Sequence, residues 1–262
     1  MREANIMGEQ VMSGRRFPSL FVSHGAPTLA LEENETVEFL KQLGAQLGRP
    51  AAVLCVSAHW ETRVPTVSAA ARPETIHDFG GFPAELYRMR YPAPGAPELA
   101  ARVASLLAEA GIESQMSPDR GLDHGAWIPL KLMYPEADVP VTQLSVQPHA
   151  GAAEHFRLGR ALAPLRDEGV LILATGSATH NLARLGREGV APLWAARFEE
   201  WLHQKVTSGA HEELLDYRRL APDAQLAHPT DEHLLPLFVA LGAGSGESAT
   251  RGRSLHRGWT WG

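Results

Sequence analysis

The run Ala52-Val53-Leu54-Cys55-Val56-Ser57-Ala58-His59-Trp60 decides the fold class. Its apolar part is too short for a helix and rich in β-formers, so it reads as a strand over Ala52 to Ser57 that hands a histidine to whatever lies beyond its end. Similar short runs recur at Ser19 to Ser23, Val64 to Ala69, Val139 to Ser145 and Val170 to Thr175. Between them lie longer segments of helical period, at Glu35 to Leu47, Ala96 to Ala110, Ala152 to Arg166, Ala191 to Thr207 and Glu232 to Leu241. Strands alternating with helices make a layered α/β architecture.

Two helix ends are readable. Pro97 stands at an early helical position, where its missing N–H costs little, and Gly111 follows as a left-handed cap. Thr230 is placed to cap the last long helix, with acidic residues in its first turn and His233 near its entrance. No repeat, low-complexity block or long Gly/Ser linker interrupts the chain, so 17–262 reads as one domain, preceded by a frayed polar extension over 1–16. The irregular stretch from Ala71 to Pro97 is long for a loop, and long ordered loops are usually functional.

A chain of 262 residues buries a core without covalent staples, and a single cysteine, Cys55, excludes an internal disulfide. Its apolar setting reads as a buried thiol in a reducing compartment. The net charge of −6 with scattered Lys and Arg argues against nucleic acid. No apolar run has the length of a membrane span, and Met1 to Arg16 lacks the hydrophobic centre of a secretory signal. A cytoplasmic monomer or small homo-oligomer is expected.

Five of the twelve histidines share a telling context. His24, His59 and His180 each follow a strand, where an α/β sheet collects ligands in the crevice beyond its carboxyl edge. His124 sits in the Gly-flanked segment Gly121-Leu122-Asp123-His124-Gly125, read as a turn, and His233 opens a helix. Convergent imidazoles without paired cysteines exclude a Cys-rich structural zinc site and suit a catalytic metal with open positions. His149, His155, His203, His211 and His256 are expected at the surface, and His228 either beside His233 or in a turn. His77 lies in the loop Ile76-His77-Asp78-Phe79-Gly80-Gly81-Phe82-Pro83, as a substrate contact or a scaffold. Trp60, Phe79, Phe82, Tyr87 and Trp127 either line a slot for an aromatic ring or pack the core.

These motifs resemble the class III extradiol ring-cleavage dioxygenases, in the 4,5-DOPA dioxygenase-like branch. The resemblance is carried by Ser23-His24-Gly25-Ala26-Pro27, Val56-Ser57-Ala58-His59-Trp60, the His77 loop, Tyr91-Pro92-Ala93-Pro94-Gly95, Gly121 to Trp127, His180-Asn181-Leu182 and His228-Pro229-Thr230-Asp231-Glu232-His233. It implies a three-layer α/β/α fold with a mixed central sheet and a metal centre at His24, His59 and His233. It implies Fe(II) as the working ion, with Zn(II) as the alternative occupant, and His180 as either a further ligand or, with His124, an acid/base group. The substrates would be a catechol and O2, with His77, Phe79 and Trp60 as substrate contacts. Where the wider superfamily commonly uses a carboxylate ligand, this chain offers His233, with Glu232 beside it as the less favoured ligand. A zinc hydrolase and a non-catalytic, partner-binding homologue are the competing readings; the chain has neither an H-E-x-x-H helix nor a nucleophile elbow.

Overall fold

The computed structural model describes residues 15–184, 191–246 and 252–256, so most of the expected N-terminal extension, 1–14, lies outside the described residues. In chain order the elements are β1 (Ser19–Ser23), α1 (Glu35–Leu47), β2 (Ala52–Glu61), β3 (Thr66–Ser68), α2 (Ala84–Arg88), α3 (Pro97–Glu109), β4 (Gln115–Ser117), α4 (His124–Met133), β5 (Val141–Val146), α5 (Gly151–Leu162), β6 (Val170–Gly176), α6 (Leu193–Ser208), α7 (His211–Leu215), α8 (Tyr217–Leu220), α9 (Ala224–Ala227) and α10 (Leu235–Gly244).

One six-stranded sheet has the order β1-β6-β2-β5-β3-β4. It is mixed: the β1–β6, β2–β6, β2–β5 and β3–β4 pairs are parallel, and β3 runs antiparallel to β5. Alternate residues of β2 feed two separate cores. Val53 and Cys55 join residues of α1 and α4 on one face, while Leu54 and Val56 join residues of α3, α5 and α10 on the other. Burial on both faces explains why the β2 run is apolar without alternation. The fold is therefore the three-layer α/β/α sandwich.

Several local expectations need correction. β2 continues through His59 to Glu61, and β4 was not anticipated, because Gln115 and Met116 are exposed on a polar edge strand. The segment read as a turn around His124 is the first turn of α4, capped by Asp123, whose carboxylate accepts from the Ala126 N–H at 3.1 Å. Pro129 lies inside that helix and looks like a breaker, yet burial of almost every α4 residue overrides it. The last helix starts at Leu235, and Thr230 donates to Glu232 Oε1 at 3.0 Å instead of capping it. A start at Glu232 would drive the Pro236 ring against the Glu232 carbonyl; at Leu235, proline occupies the first turn, where it is tolerated. His155, expected at the surface, is 1% exposed, accepts from the Gln147 N–H at 3.1 Å and contacts the Gly151 carbonyl at 2.7 Å. Among the described residues, no helix is long and apolar enough to cross a membrane.

Candidate metal centre

Three histidines reach one point from three elements. His24 leaves the end of β1, its N–H donating to the Gly176 carbonyl at 3.2 Å. His59 projects from β2 where the β2–β5 register breaks, between Val56 and Glu61. His233 lies in the turn before α10, and its carbonyl accepts from the Ser177 N–H at 2.9 Å. That turn is pressed against the end of β6: a Cβ on Gly176 would stand 2.1 Å from the His233 carbonyl oxygen. Glycine is required there by close approach of two backbones.

The Nε2 atom of His59 is 3.0 Å from Nε2 of His24 and 3.3 Å from Nε2 of His233. Two nitrogens each about 2.1 Å from one ion are about 3.0 Å apart at a right angle and about 3.4 Å apart at the tetrahedral angle. The spacing fits three ligands of a single divalent cation. Burial, then the neighbouring imidazoles, hold His24 well below the usual histidine range, and the same causes take His59 down to about 3. Neutral rings keep the lone pairs that a metal needs.

Two carboxylates stand behind the rings. Glu232 Oε1 lies 2.9 Å from His233 Nδ1. Asp78 Oδ2 lies 3.5 Å from His59 Nδ1, and its Oδ1 lies 3.0 Å from His124 Nδ1 while accepting the His124 backbone N–H at 2.9 Å. Such partners select the tautomer that leaves Nε2 free. Burial works to raise both acids, but hydrogen bonds and charge from His124 hold Asp78 at about 2, and those from His233 and Thr230 hold Glu232 at about 2. Sets of potential ligands formed by His59, Asp78 and His124 and by His180, Glu232 and His233 flank the central three.

All five histidines singled out in the sequence are brought together. His124 packs beside His59 with ring centroids 4.0 Å apart. His180 stacks on His233 at 3.3 Å, with Nδ1 3.8 Å from Glu232, and burial lowers it to about 4. The loop carrying His180 is held from behind: its N–H donates to the Ala227 carbonyl at 2.8 Å, and buried His228 contacts the Ala178 carbonyl at 2.8 Å. His228 thus supports the His180 loop.

The aromatic residues divide. Phe79 lies 5.6 Å from the His124 ring and packs with Phe82 and Tyr87, so this loop shoulders the His124 side of the centre. His77 sits further back, its Nε2 3.1 Å from the Met89 carbonyl and its ring against Phe79, Tyr87 and Trp127. Trp60 is buried, and its ring carries the Arg120 guanidinium at 5.2 Å. Trp127 is fully buried and donates to the Ile76 carbonyl. Sequence reasoning passed over Asp78 as a functional residue, although it adjoins His77 in a quoted motif, and over buried Asp123, which adjoins His124.

A largely buried cluster of imidazoles at the carboxyl edge of a mixed sheet, backed by two carboxylates, makes a candidate metal centre in an α/β enzyme. Residues 18–260 match the family described as the catalytic LigB subunit of aromatic ring-opening dioxygenase, and the chain belongs to that family, the class III extradiol ring-cleavage dioxygenases. It is 49% identical to the 4,5-DOPA dioxygenase extradiol of Beta vulgaris, over 93% of this chain and 92% of that protein. It is 44% identical to the protein of the same name from Escherichia coli K12, over 90% of this chain and 89% of that one. The crystal structure of an uncharacterised Escherichia coli K12 protein, JW3007, superposes with a TM-score of 0.74 at 38% identity, covering 88% of this chain and 91% of that chain.

Proposed function

We propose that His24, His59 and His233 hold Fe(II) and that the enzyme opens the ring of a catechol bearing an amino-acid side chain, of the DOPA type, beside its diol. The observation that carries this reading is the convergence of three Nε2 atoms at 3.0 and 3.3 Å. The names of the relatives supply the substrate class. Fe(II) held by these histidines would supply the redox chemistry that activates O2 towards a catechol, which redox-inert Zn(II) lacks.

The chain's own residues handle protons and shape. His124, with Nδ1 against Asp78, keeps Nε2 available to take a catechol proton and return it as the ring opens. His180 stands on the opposite side, over His233 and near Glu232, as a second proton-handling group or a further ligand. Phe79 offers an apolar wall next to His124. His77 and Trp60 act through the loop and through Arg120, respectively, and shape the pocket indirectly.

Anaerobic loading with Fe(II), followed by O2 uptake with DOPA and simpler catechols, tests the reading. His59→Ala should lose metal and ring cleavage together. A metal-loaded His59→Ala protein that still consumes O2 with a catechol, or a wild type inert towards every catechol, would overturn it.

A further inference from the structure

Asp123 is 0% exposed and is used four times over. Oδ1 accepts from Ser57 Oγ at 2.6 Å and from the Ala126 N–H at 3.1 Å. Oδ2 accepts from the Arg120 guanidinium at 2.9 Å and from the Gln143 amide. Burying a carboxylate is costly unless it is paired and hydrogen-bonded, and Asp123 is both.

Two of those partners hold the backbone of His59. Ser57 Oγ accepts the His59 N–H at 3.2 Å, and Arg120 donates to the His59 carbonyl at 3.3 Å while its guanidinium lies over Trp60. The β2–β5 register breaks over this stretch, so side chains serve the peptide groups around His59 where the regular ladder is interrupted. At its other end Asp123 caps α4, whose first residue is His124. The two halves touch: a Cβ on Gly125 would meet Ser57 Oγ at 2.6 Å and His59 Cδ2 at 2.9 Å.

We infer that Asp123 is a positioning residue that locks the β2 break at His59 to the start of α4 and thereby sets the affinity of the three-histidine centre for a divalent metal. This rests on the metal-centre reading above. Asp123→Asn keeps an oxygen for Ser57 and Ala126 but turns an N–H towards Arg120 and Gln143, so the His59 carbonyl loses its clamp. Ser57→Ala deletes one hydroxyl and frees the His59 N–H.

Zn(II) titrated calorimetrically into the full-length apo chain reads the effect without any turnover, and Co(II) absorption reports ligand geometry. Asp123→Asn and Ser57→Ala should each weaken Zn(II) binding roughly ten- to hundredfold and shift the Co(II) bands. Val103→Ala, a cavity variant in the opposite core, should lower the melting temperature without either change. Wild-type Zn(II) affinity in folded Asp123→Asn and Ser57→Ala, or a loss no greater than in Val103→Ala, overturns the inference; should Asp123→Asn fail to fold, Ser57→Ala decides. His59→Ala separates the two levels. Undiminished Zn(II) binding there removes the metal-centre reading and this inference with it, whereas loss in His59→Ala with none in the other two overturns the inference alone.

Discussion

Asp78 does the most for the least sequence signal. One oxygen meets both the ring Nδ1 and the backbone N–H of His124, and the other faces His59, so a single carboxylate orients both the ring proposed to handle protons and a ring proposed to bind the metal. Asp78→Asn retains an acceptor for the backbone but loses the carboxylate that faces the His124 and His59 rings. Turnover of the Fe(II) enzyme should fall about a hundredfold with a folded protein and little change in KM, in keeping with loss of general acid/base assistance. Steady-state kinetics within threefold of wild type would remove Asp78 from the mechanism. His77, next to it, has its Nε2 3.1 Å from the Met89 carbonyl, a difference in surroundings that two adjacent polar residues cannot announce in a sequence.

At the scale of elements, the junction of β6 with the turn before α10 decides where His233 can stand. The Gly176 position tolerates no Cβ, because 2.1 Å to the His233 carbonyl oxygen is far inside van der Waals contact and the two nearest atoms are backbone. Gly176→Ala must therefore push the turn away, breaking the Ser177 bond to His233 and moving one of the three proposed ligands. Zn(II) affinity should drop at least tenfold, and stability should fall by about 1–3 kcal/mol, the range for overpacking. Calorimetric Zn(II) titration and urea denaturation check both; an unaltered Zn(II) affinity would show that the turn adapts. The α3 boundaries were legible because Pro97 and Gly111 are local signals. The start of α4 was not: Asp123 is an equally local cap, but Gly121 and Gly125 on either side of it read as a turn.

For the whole molecule, acid is the natural stress. His155 is buried on α5, and burial takes it down to about 4. Its folded state binds fewer protons than its unfolded state between about pH 6.5 and 4, so its contribution is complete above that window and is lost as pH falls through it. The loss is on the order of 3 kcal/mol by pH 4, a large part of a marginal total. His155→Gln, which keeps an acceptor for the Gln147 N–H, should be less stable at neutral pH but lose less on going from pH 7 to 4.5; urea midpoints across that range measure it. An acid limb as steep as that of wild type would show that His155 does not titrate with unfolding.

Much of this organisation was open to reading in the chain itself. Apolar runs of strand length between helical periods yield an α/β fold because burial of a sheet on both faces demands them, and each run that ends on a histidine delivers it to the same edge. What the tertiary structure alone decided was convergence. His24 and His59 are 35 positions apart and His59 and His233 are 174 apart, yet their Nε2 atoms meet. That meeting depends on the strand order β1-β6-β2, on the break in β2 and on the contact of Gly176 with the His233 turn. The surroundings of Asp78 and Asp123 share that origin in part: His59 and His124 reach Asp78, and Ser57 and Gln143 reach Asp123, from elements remote in the sequence, while Arg120 and Ala126 are neighbours of Asp123 in the chain.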